Sequence, residues 1–222
     1  MVYTSGAIGF NHLCYLKDKL PFYLNSGEFH YFRVPRKDWK KRMKLFKATG
    51  GNCIATYVPW LLHEPKEGTF VFSSKDGHLN VEDFLNTAAS IGLNVIVRPG
   101  PYQYSELLLD GVARWIFDDY PQLRATDYLG KPLHPFSASY LHPLFLDKTR
   151  NWFNQVCPIL AKYSVSRGGP VVFAQIDNEM CGIHVWRGGL DFNAETYGFG
   201  QKKGRYSNYL LSKYGEISKV NI

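Results

Sequence analysis

The stretch that most constrains the fold runs from Gly168 to Met180, where an apolar segment leads directly into polar side chains. Residues 171–176 are mostly apolar, β-branched or aromatic and follow Gly-Gly-Pro, which is the pattern of a strand covered on both faces. In parallel α/β barrels the chemistry lies at the carboxyl ends of the strands, so Asn178 and Glu179 are the best-placed catalytic candidates. The structural alternative is that this pair caps or begins a helix.

Three earlier segments repeat the pattern of a strand associated with a helix. The predicted strands are 25–35, 52–58, 93–98 and 171–176, and the predicted helices are 36–49, 81–91, 147–163 and about 206–214. Successive strand–helix pairs imply parallel strands with right-handed crossovers, so the predicted class is α/β of the TIM (β/α)8-barrel type. A closed barrel has eight strands and usually about 250 residues, so only about the first four strand–helix units are expected here.

We expect one domain over residues 1–222, a partial barrel in which 1–24 form a leading hairpin and 25–222 form the four strand–helix units. The hairpin is predicted from two apolar runs around Asp18, and we expect it at the bottom of the barrel. The long irregular segment 107–146 is typical of a functional loop, and a Gly-rich loop is predicted at 182–204.

Composition and charge indicate a globular chain without a nucleic-acid partner. Apolar residues make up 45% of the 222 residues, which is enough for one substantial core. The net charge of +7 comes from dispersed Lys and Arg residues. The one compact basic group, at 36–42, fits the solvated first turn of a helix.

Cysteine spacing and hydropathy exclude further classes. The four cysteines show no C-x-x-C spacing, so neither a zinc site nor a redox motif is predicted. The N-terminus lacks the features of a signal peptide, and no apolar run approaches the roughly 18 residues of a membrane span. We therefore expect a cytoplasmic protein without a membrane partner.

Four sequence blocks, each at a predicted strand end, together form a specific pattern. They are Ser26-Gly27-Glu28-Phe29-His30-Tyr31-Phe32-Arg33-Val34-Pro35, Thr56-Tyr57-Val58-Pro59-Trp60-Leu61-Leu62-His63-Glu64-Pro65, Arg98-Pro99-Gly100-Pro101-Tyr102-Gln103-Tyr104-Ser105-Glu106, and Gly168-Gly169-Pro170 through Asn178-Glu179. In this order they resemble glycoside hydrolase family 35, the β-galactosidases with a (β/α)8-barrel catalytic domain and a retaining mechanism. The resemblance runs from about Asn11 to the end of the chain.

The resemblance implies roles for the residues that match. Glu179 matches the general acid/base, and Asn178 matches its neighbour that binds the sugar 2-hydroxyl. The remaining matches are substrate contacts at Tyr57, Ser105 and Glu106, and a supporting polar network at Arg33, His63 and Glu64. Glu64 and Glu106 have a structural alternative as acids paired with Arg33 or Arg98. The implied partner is a β-galactoside, and no cofactor or metal is implied.

The chain departs from the family pattern at several of these positions. Leu61 stands where the family usually has Asn, Tyr104-Ser105 where it has Cys-Ala, Leu107 where it has Trp, and Asp177 where it has Glu. These departures concern the sugar contacts more than the fold.

The chemistry needs a second carboxylate besides Glu179. A retaining glycosidase uses two carboxyl groups about 5–5.5 Å apart, one as nucleophile and one as acid/base. The resemblance places the nucleophile on the seventh strand, beyond residue 222, and Glu195 follows Glu179 too soon to cross the barrel. The chain is therefore predicted to be a truncated retaining hydrolase of terminal β-galactosides, serving carbohydrate metabolism.

Two other functions remain open at this stage. One is a non-catalytic carbohydrate-binding remnant of a truncated or split gene, and the other is a different barrel hydrolase such as an endo-acting β-glycanase. A half-barrel would expose apolar edge strands, so we expect either a complementing C-terminal half or self-association.

Overall fold

The computed structural model describes residues 3–5, 8–180, 189–198, 204–216 and 219. Cys181 and most of the predicted Gly-rich loop at 182–204 lie outside these residues. The chain divides into two compact units, Met1–Val112 with Phe153–Asn178, and Ala113–Trp152 with Glu179–Ile222. Within the described part, no helix is both long enough and apolar enough to cross a membrane.

The first unit begins with a small antiparallel sheet of four strands, β1 (Tyr3–Ser5), β2 (Ile8–Phe10), β3 (Tyr15–Lys17) and β4 (Leu20–Phe22). The sequence predicts one hairpin here, and β3 and β4 form it around Asp18 and Lys19, both of which have positive φ, as a two-residue hairpin turn requires. Two further strands extend that hairpin into a sheet. Lys17 Nζ donates to Asn94 Oδ1 at 2.9 Å, at the amino end of the third parallel strand.

The centre of the first unit is a parallel sheet whose strand order follows chain order. Its strands are β5 (Ser26–Glu28), β6 (Cys53–Tyr57), β7 (Asn94–Gly100) and β8 (Val171–Ile176). The segments between them contain α1 (Arg36–Ala48), α2 (Trp60–His63), α3 (Val81–Ile91), α4 (Arg114–Asp119) and α5 (Pro143–Lys162). Sequential order is the arrangement of a barrel, since doubly wound sheets reverse direction. The predicted α/β class with parallel strand–helix units is confirmed.

The first parallel strand is shorter than predicted. Instead of an extended segment over 25–35, three residues pair with β6 and a 3₁₀ turn follows at Tyr31–Arg33. The chain turns because Tyr31 is fully buried, with its ring centroid 5.3 Å from that of Phe84 and 6.4 Å from that of Trp39. Burial of this large ring stabilises the turn.

Helix α3 has the predicted bounds because both of its ends carry strong signals. Asn80 caps its first turn by accepting a hydrogen bond from the Asp83 backbone N–H at 2.9 Å. Gly92 ends it with a φ of 74°, the left-handed conformation that glycine adopts without a steric penalty. Helix α5, in contrast, begins before the predicted 147–163, because Pro143 fits a first helical turn.

One aromatic ring of helix α1, that of Phe46, lies against two glycines at the sheet. A Cβ built on Gly27 would lie 2.7 Å from Phe46 Cε2, and one built on Gly51 would lie 2.3 Å from Phe46 Cζ. The absence of side chains at both positions therefore creates the space that Phe46 fills.

We expect Gly51→Ala to lower the free energy of unfolding by about 1–3 kcal/mol, because the added methyl overlaps Phe46 and forces it out of its site. Chemical denaturation of the variant and the parent chain measures this. In a Phe46→Leu background the same substitution should cost clearly less. An equal cost in both backgrounds would contradict the packing described here.

The described part of the second unit contains mainly helices. The predicted irregular segment 107–146 holds a 3₁₀ turn at Leu108–Gly111, which lies in the first unit, and α4, which lies in the second and whose Ile116 and Phe117 are fully buried. Later in the chain come α6 (Ala194–Tyr197) and α7 (Arg205–Tyr214). Asn193 caps α6 and also donates to the carbonyls of Gln122 and Arg124, both at 2.8 Å, which ties α6 to the segment after α4.

Candidate active site

Polar side chains meet at the carboxyl end of the parallel sheet. Tyr57 ends β6 and is the register partner of Arg98 on β7. The Arg98 guanidinium carbon lies 4.3 Å from the centroid of the Tyr57 ring, within cation–π distance. Arg98 also forms an ion pair with Glu28, the last residue of β5. The side chain of Arg98 is 12% exposed and that of Glu28 54%, so the pair spans the partly buried base and the open rim of the site.

Asp177 joins the ends of β7 and β8. It is buried, has a φ of 63°, and donates its backbone N–H to the Gly100 carbonyl at 2.8 Å. Its Oδ1 accepts from the backbone N–H groups of Tyr102, at 3.2 Å, and Asn178, at 3.0 Å. One carboxylate oxygen therefore positions the backbone on both sides of the site.

Two predicted substrate contacts, Tyr57 and Asn178, are brought together directly. The Tyr57 hydroxyl is 3.2 Å from Asn178 Oδ1, and Gln175 Nε2 is 3.0 Å from the same oxygen. Gln175 Nε2 also donates to the Asp177 carbonyl at 3.0 Å. The amide of Asn178 is thus held by neighbours from β6 and β8.

The loop after β7 carries Ser105 and Glu106. Residues 104–106 all have positive φ, between 49° and 58°. Arg33 donates to the Ser105 carbonyl at 2.5 Å, so it holds this loop in place. Glu106 is exposed at the rim.

His30 is a further polar group of the site. Its Nε2 lies 3.5 Å from Ser105 Oγ and 3.9 Å from Glu28 Oε2, and its ring centroid is 5.5 Å from that of Tyr57. Burial lowers the pKa of His30 below its usual 6.5, with Glu28 opposing and Arg98 adding to this effect. The imidazole is therefore held toward its neutral form.

His63 lies in the core beside Tyr31. Its Nδ1 is 2.6 Å from the Val71 carbonyl, which can only accept, so Nδ1 carries the proton. Tyr31 then donates its hydroxyl proton to Nε2 at 2.5 Å. Burial lowers the pKa of His63 to about 4 and raises that of Tyr31, so both groups are neutral at pH 7.

Glu64 is 3% exposed and accepts hydrogen bonds from Trp60 Nε1 at 2.5 Å and from the Gly68 backbone N–H at 2.8 Å. These bonds stabilise α2 and the turn that follows it. Arg98, one of the cations considered for Glu64 in the sequence, pairs with Glu28 instead.

Glu179 directly follows Asn178 and is exposed, with a φ of 42°. Asp177 and Glu179 both have positive φ, so the chain turns sharply at the end of β8. A helix that this pair could cap would lie after residue 180, outside the described residues. Among the described residues, no group of three or more His, Cys, Asp or Glu side chains is arranged to hold a metal ion.

The sequence assigned no site role to Glu28, Arg98, Asp177 or Gln175, although it named Arg98 as a possible ion-pair partner and Asp177 as a departure from the family pattern. Each lies at or next to the carboxyl end of a parallel strand. Aligning the predicted parallel strands by their carboxyl ends could have found these residues. Polar residues near the ends of adjacent parallel strands must be neighbours in the sheet.

Strand order and polar strand ends define four consecutive strands of a (β/α)8 barrel with a candidate active site at its usual edge. Residues 15–188 match the family model described as "Glycosyl hydrolases family 35". The chain belongs to this family.

Curated proteins with several different activities in their names are similar to this chain. A "Beta-galactosidase" of Felis catus is 38% identical over 78% of this chain and 23% of its own length. An "Exo-beta-D-glucosaminidase" of Thermococcus kodakarensis is 34% identical over 78% of this chain and 23% of its own. A "Beta-1,2-glucosyltransferase" of Ignavibacterium album is 32% identical over 93% of this chain and 28% of its own. The chain thus spans about a quarter of the length of these curated relatives.

Solved structures support the fold. The crystal structure of a β-galactosidase from the psychrophilic Marinomonas ef1 superposes with a TM-score of 0.65 at 17% identity, covering 88% of this chain and 26% of that one. A second β-galactosidase, from Bacillus circulans sp. alkalophilus, superposes with a TM-score of 0.61 at 14% identity, covering 88% of this chain and 25% of that one.

Proposed function

We propose that this chain supplies the sugar-binding and acid/base part of a retaining glycoside hydrolase that acts on terminal β-galactosides. The observation that carries the proposal is the hydrogen-bonded group of Tyr57, Asn178 and Gln175 at the carboxyl end of the sheet. Membership of the family and the β-galactosidases among its relatives support the choice of sugar.

The proposed roles follow the site's chemistry. Asn178 and Tyr57 bind sugar hydroxyls, and Ser105 and Glu106 contact the sugar from the loop after β7. Arg33 holds that loop through the Ser105 carbonyl. His63 and Glu64 support the site indirectly by stabilising the segment around α2.

Glu179 is proposed as the general acid/base. It would protonate the leaving oxygen when the glycosidic bond breaks, and then take a proton from the water that hydrolyses the glycosyl-enzyme intermediate. These steps need an ionised nucleophile about 5–5.5 Å away. We place that nucleophile on a carboxylate outside these 222 residues, so the chain alone should bind β-galactosides without turning them over.

Binding and hydrolysis measured on the same preparation test the proposal. Calorimetric titration with methyl β-galactoside should show binding, and a chromogenic β-galactoside should stay intact. Asn178→Ala should weaken binding by about tenfold, the effect of one lost hydrogen bond to a buried ligand. Asn151→Ala, which alters an exposed asparagine on α5, is the matched control and should bind normally.

Two outcomes would change the proposal. Folded protein that binds no β-galactoside would contradict it. Turnover that disappears in Glu179→Gln would support the hydrolase function and show that the nucleophile is supplied within this chain or by its self-association.

A further inference from the structure

The orientation of the amide groups near Asn178 is determined by one backbone carbonyl. The carbonyl oxygen of Asp177 can only accept a hydrogen bond. The side-chain atom of Gln175 that lies 3.0 Å from it must therefore be Nε2, not Oε1. This contact sets the orientation of the Gln175 amide.

The orientation of Gln175 sets that of Asn178 in turn. Gln175 Nε2 has a second proton, and the Asn178 amide atom 3.0 Å away must accept it, so that atom is Oδ1. The Tyr57 hydroxyl lies 3.2 Å from the same oxygen and must donate to it. Three side chains thus take their polarity from one carbonyl.

This polarity determines what Asn178 offers to a ligand. Its Oδ1 is occupied by two donors, while its Nδ2 has no hydrogen-bond partner among the described residues. A group bound at this amide must therefore accept a hydrogen bond from Asn178.

We infer that Gln175 is a positioning residue that makes the site select a sugar hydroxyl over an ammonium group at the substituent facing Asn178. A hydroxyl both accepts and donates, whereas an ammonium has no lone pair and would meet the N–H groups of Asn178 with like polarity. The inference rests on the proposed function, together with the 2-hydroxyl contact that the family resemblance implies for Asn178.

The test compares three methyl β-galactosides that differ only at C2: the 2-hydroxyl parent, the 2-fluoro analogue, which can only accept, and the 2-amino analogue at a mildly acidic pH where it is an ammonium. We expect the hydroxyl sugar to bind most tightly, the fluoro sugar within about tenfold of it, and the ammonium sugar at least about tenfold more weakly than the hydroxyl sugar. An ammonium sugar that binds as tightly as the hydroxyl sugar would overturn the inference.

Variants of Gln175 distinguish its effect on the orientation of the Asn178 amide from a simple effect of charge on ammonium binding. Gln175→Met removes both N–H donors without adding charge, and Gln175→Glu replaces them with acceptors. Both should reduce the preference for hydroxyl over ammonium about tenfold, because Asn178 can then rotate. Gln155→Glu, on an exposed position of α5, adds the same charge and should leave the preference unchanged. A reduced preference in Gln175→Glu alone would indicate simple charge attraction and overturn the positioning role.

NMR of the side-chain amide protons in the unliganded chain tests the orientation of the Asn178 amide without ligand binding. The Nδ2 protons of Asn178 should exchange with solvent faster than the Nε2 protons of Gln175, which are hydrogen-bonded. If no sugar binds, the proposed function fails. The exchange rates of the side-chain amide protons still determine the orientation of the Asn178 amide. Protected Asn178 protons would overturn it.

Discussion

Replacing Arg98 by glutamine should raise the pKa of His30 and weaken β-galactoside binding by about tenfold. Arg98 lowers the pKa of His30, so losing its positive charge removes that effect and leaves Glu28 to stabilise the imidazolium. The guanidinium also lies 4.3 Å from the Tyr57 ring, and a partly buried cation–π contact is worth about 1–2 kcal/mol. Without it, the Tyr57 ring that hydrogen-bonds to Asn178 is less firmly held.

The opposite substitution in the same ion pair provides the control. Glu28→Gln should lower the pKa of His30, because it removes the carboxylate that favours the charged imidazole. Arg114→Gln, which breaks an exposed ion pair with Asp118, should change neither His30 nor sugar binding. NMR titration of His30 measures these shifts. Shifts of the same sign in the two ion-pair variants would contradict the arrangement described here.

Acidification should destabilise the chain through His63 by about 3 kcal/mol. The pKa of this imidazole is about 4 in the folded state and 6.5 in an unfolded chain, so the unfolded state binds the proton more tightly between these values. The stabilisation is complete above pH 6.5 and is lost as the pH falls toward about 4. The figure follows from about 1.4 kcal/mol per pKa unit.

Urea denaturation at several pH values between these limits measures the effect. His63→Asn keeps an N–H that can donate to the Val71 carbonyl but has no group that titrates in this range. Its stability should therefore depend on pH less than that of the parent chain, by about 3 kcal/mol over the window. His12→Asn, at an exposed position, should retain the parent's pH dependence. An unchanged pH dependence in His63→Asn would show that other groups are responsible.

The parts of the fold that the sequence predicts well are those with local signals. Helix α3 is delimited by Asn80 and Gly92, each of which acts within one helical turn. Strand β8 is delimited by Gly169-Pro170 before it and by the polar residues after it. Strand β5 is predicted too long because its end depends on Tyr31 packing against Trp39 and Phe84, which come from other elements.

The same distinction applies to the candidate site. Tyr57 and Asn178 lie at strand ends, and their proximity follows from the parallel arrangement. The pairing of Glu28 with Arg98 joins residues 70 positions apart, and several acids were equally plausible partners from the sequence. The amide orientation at Asn178 depends on a backbone carbonyl, which sequence patterns do not encode.

The hydrogen bonds of Asp177 restrict which sequence changes this site can accept during evolution. Its carboxylate oxygen binds the backbone of Tyr102 in one loop and of Asn178 in the other. A glutamate would carry that oxygen about 1.5 Å farther along its side chain, so it would fit only if the Tyr102 loop also moved. Mutations in the two loops must therefore compensate each other, and lineages that reshape one loop are expected to carry a matching change in the other.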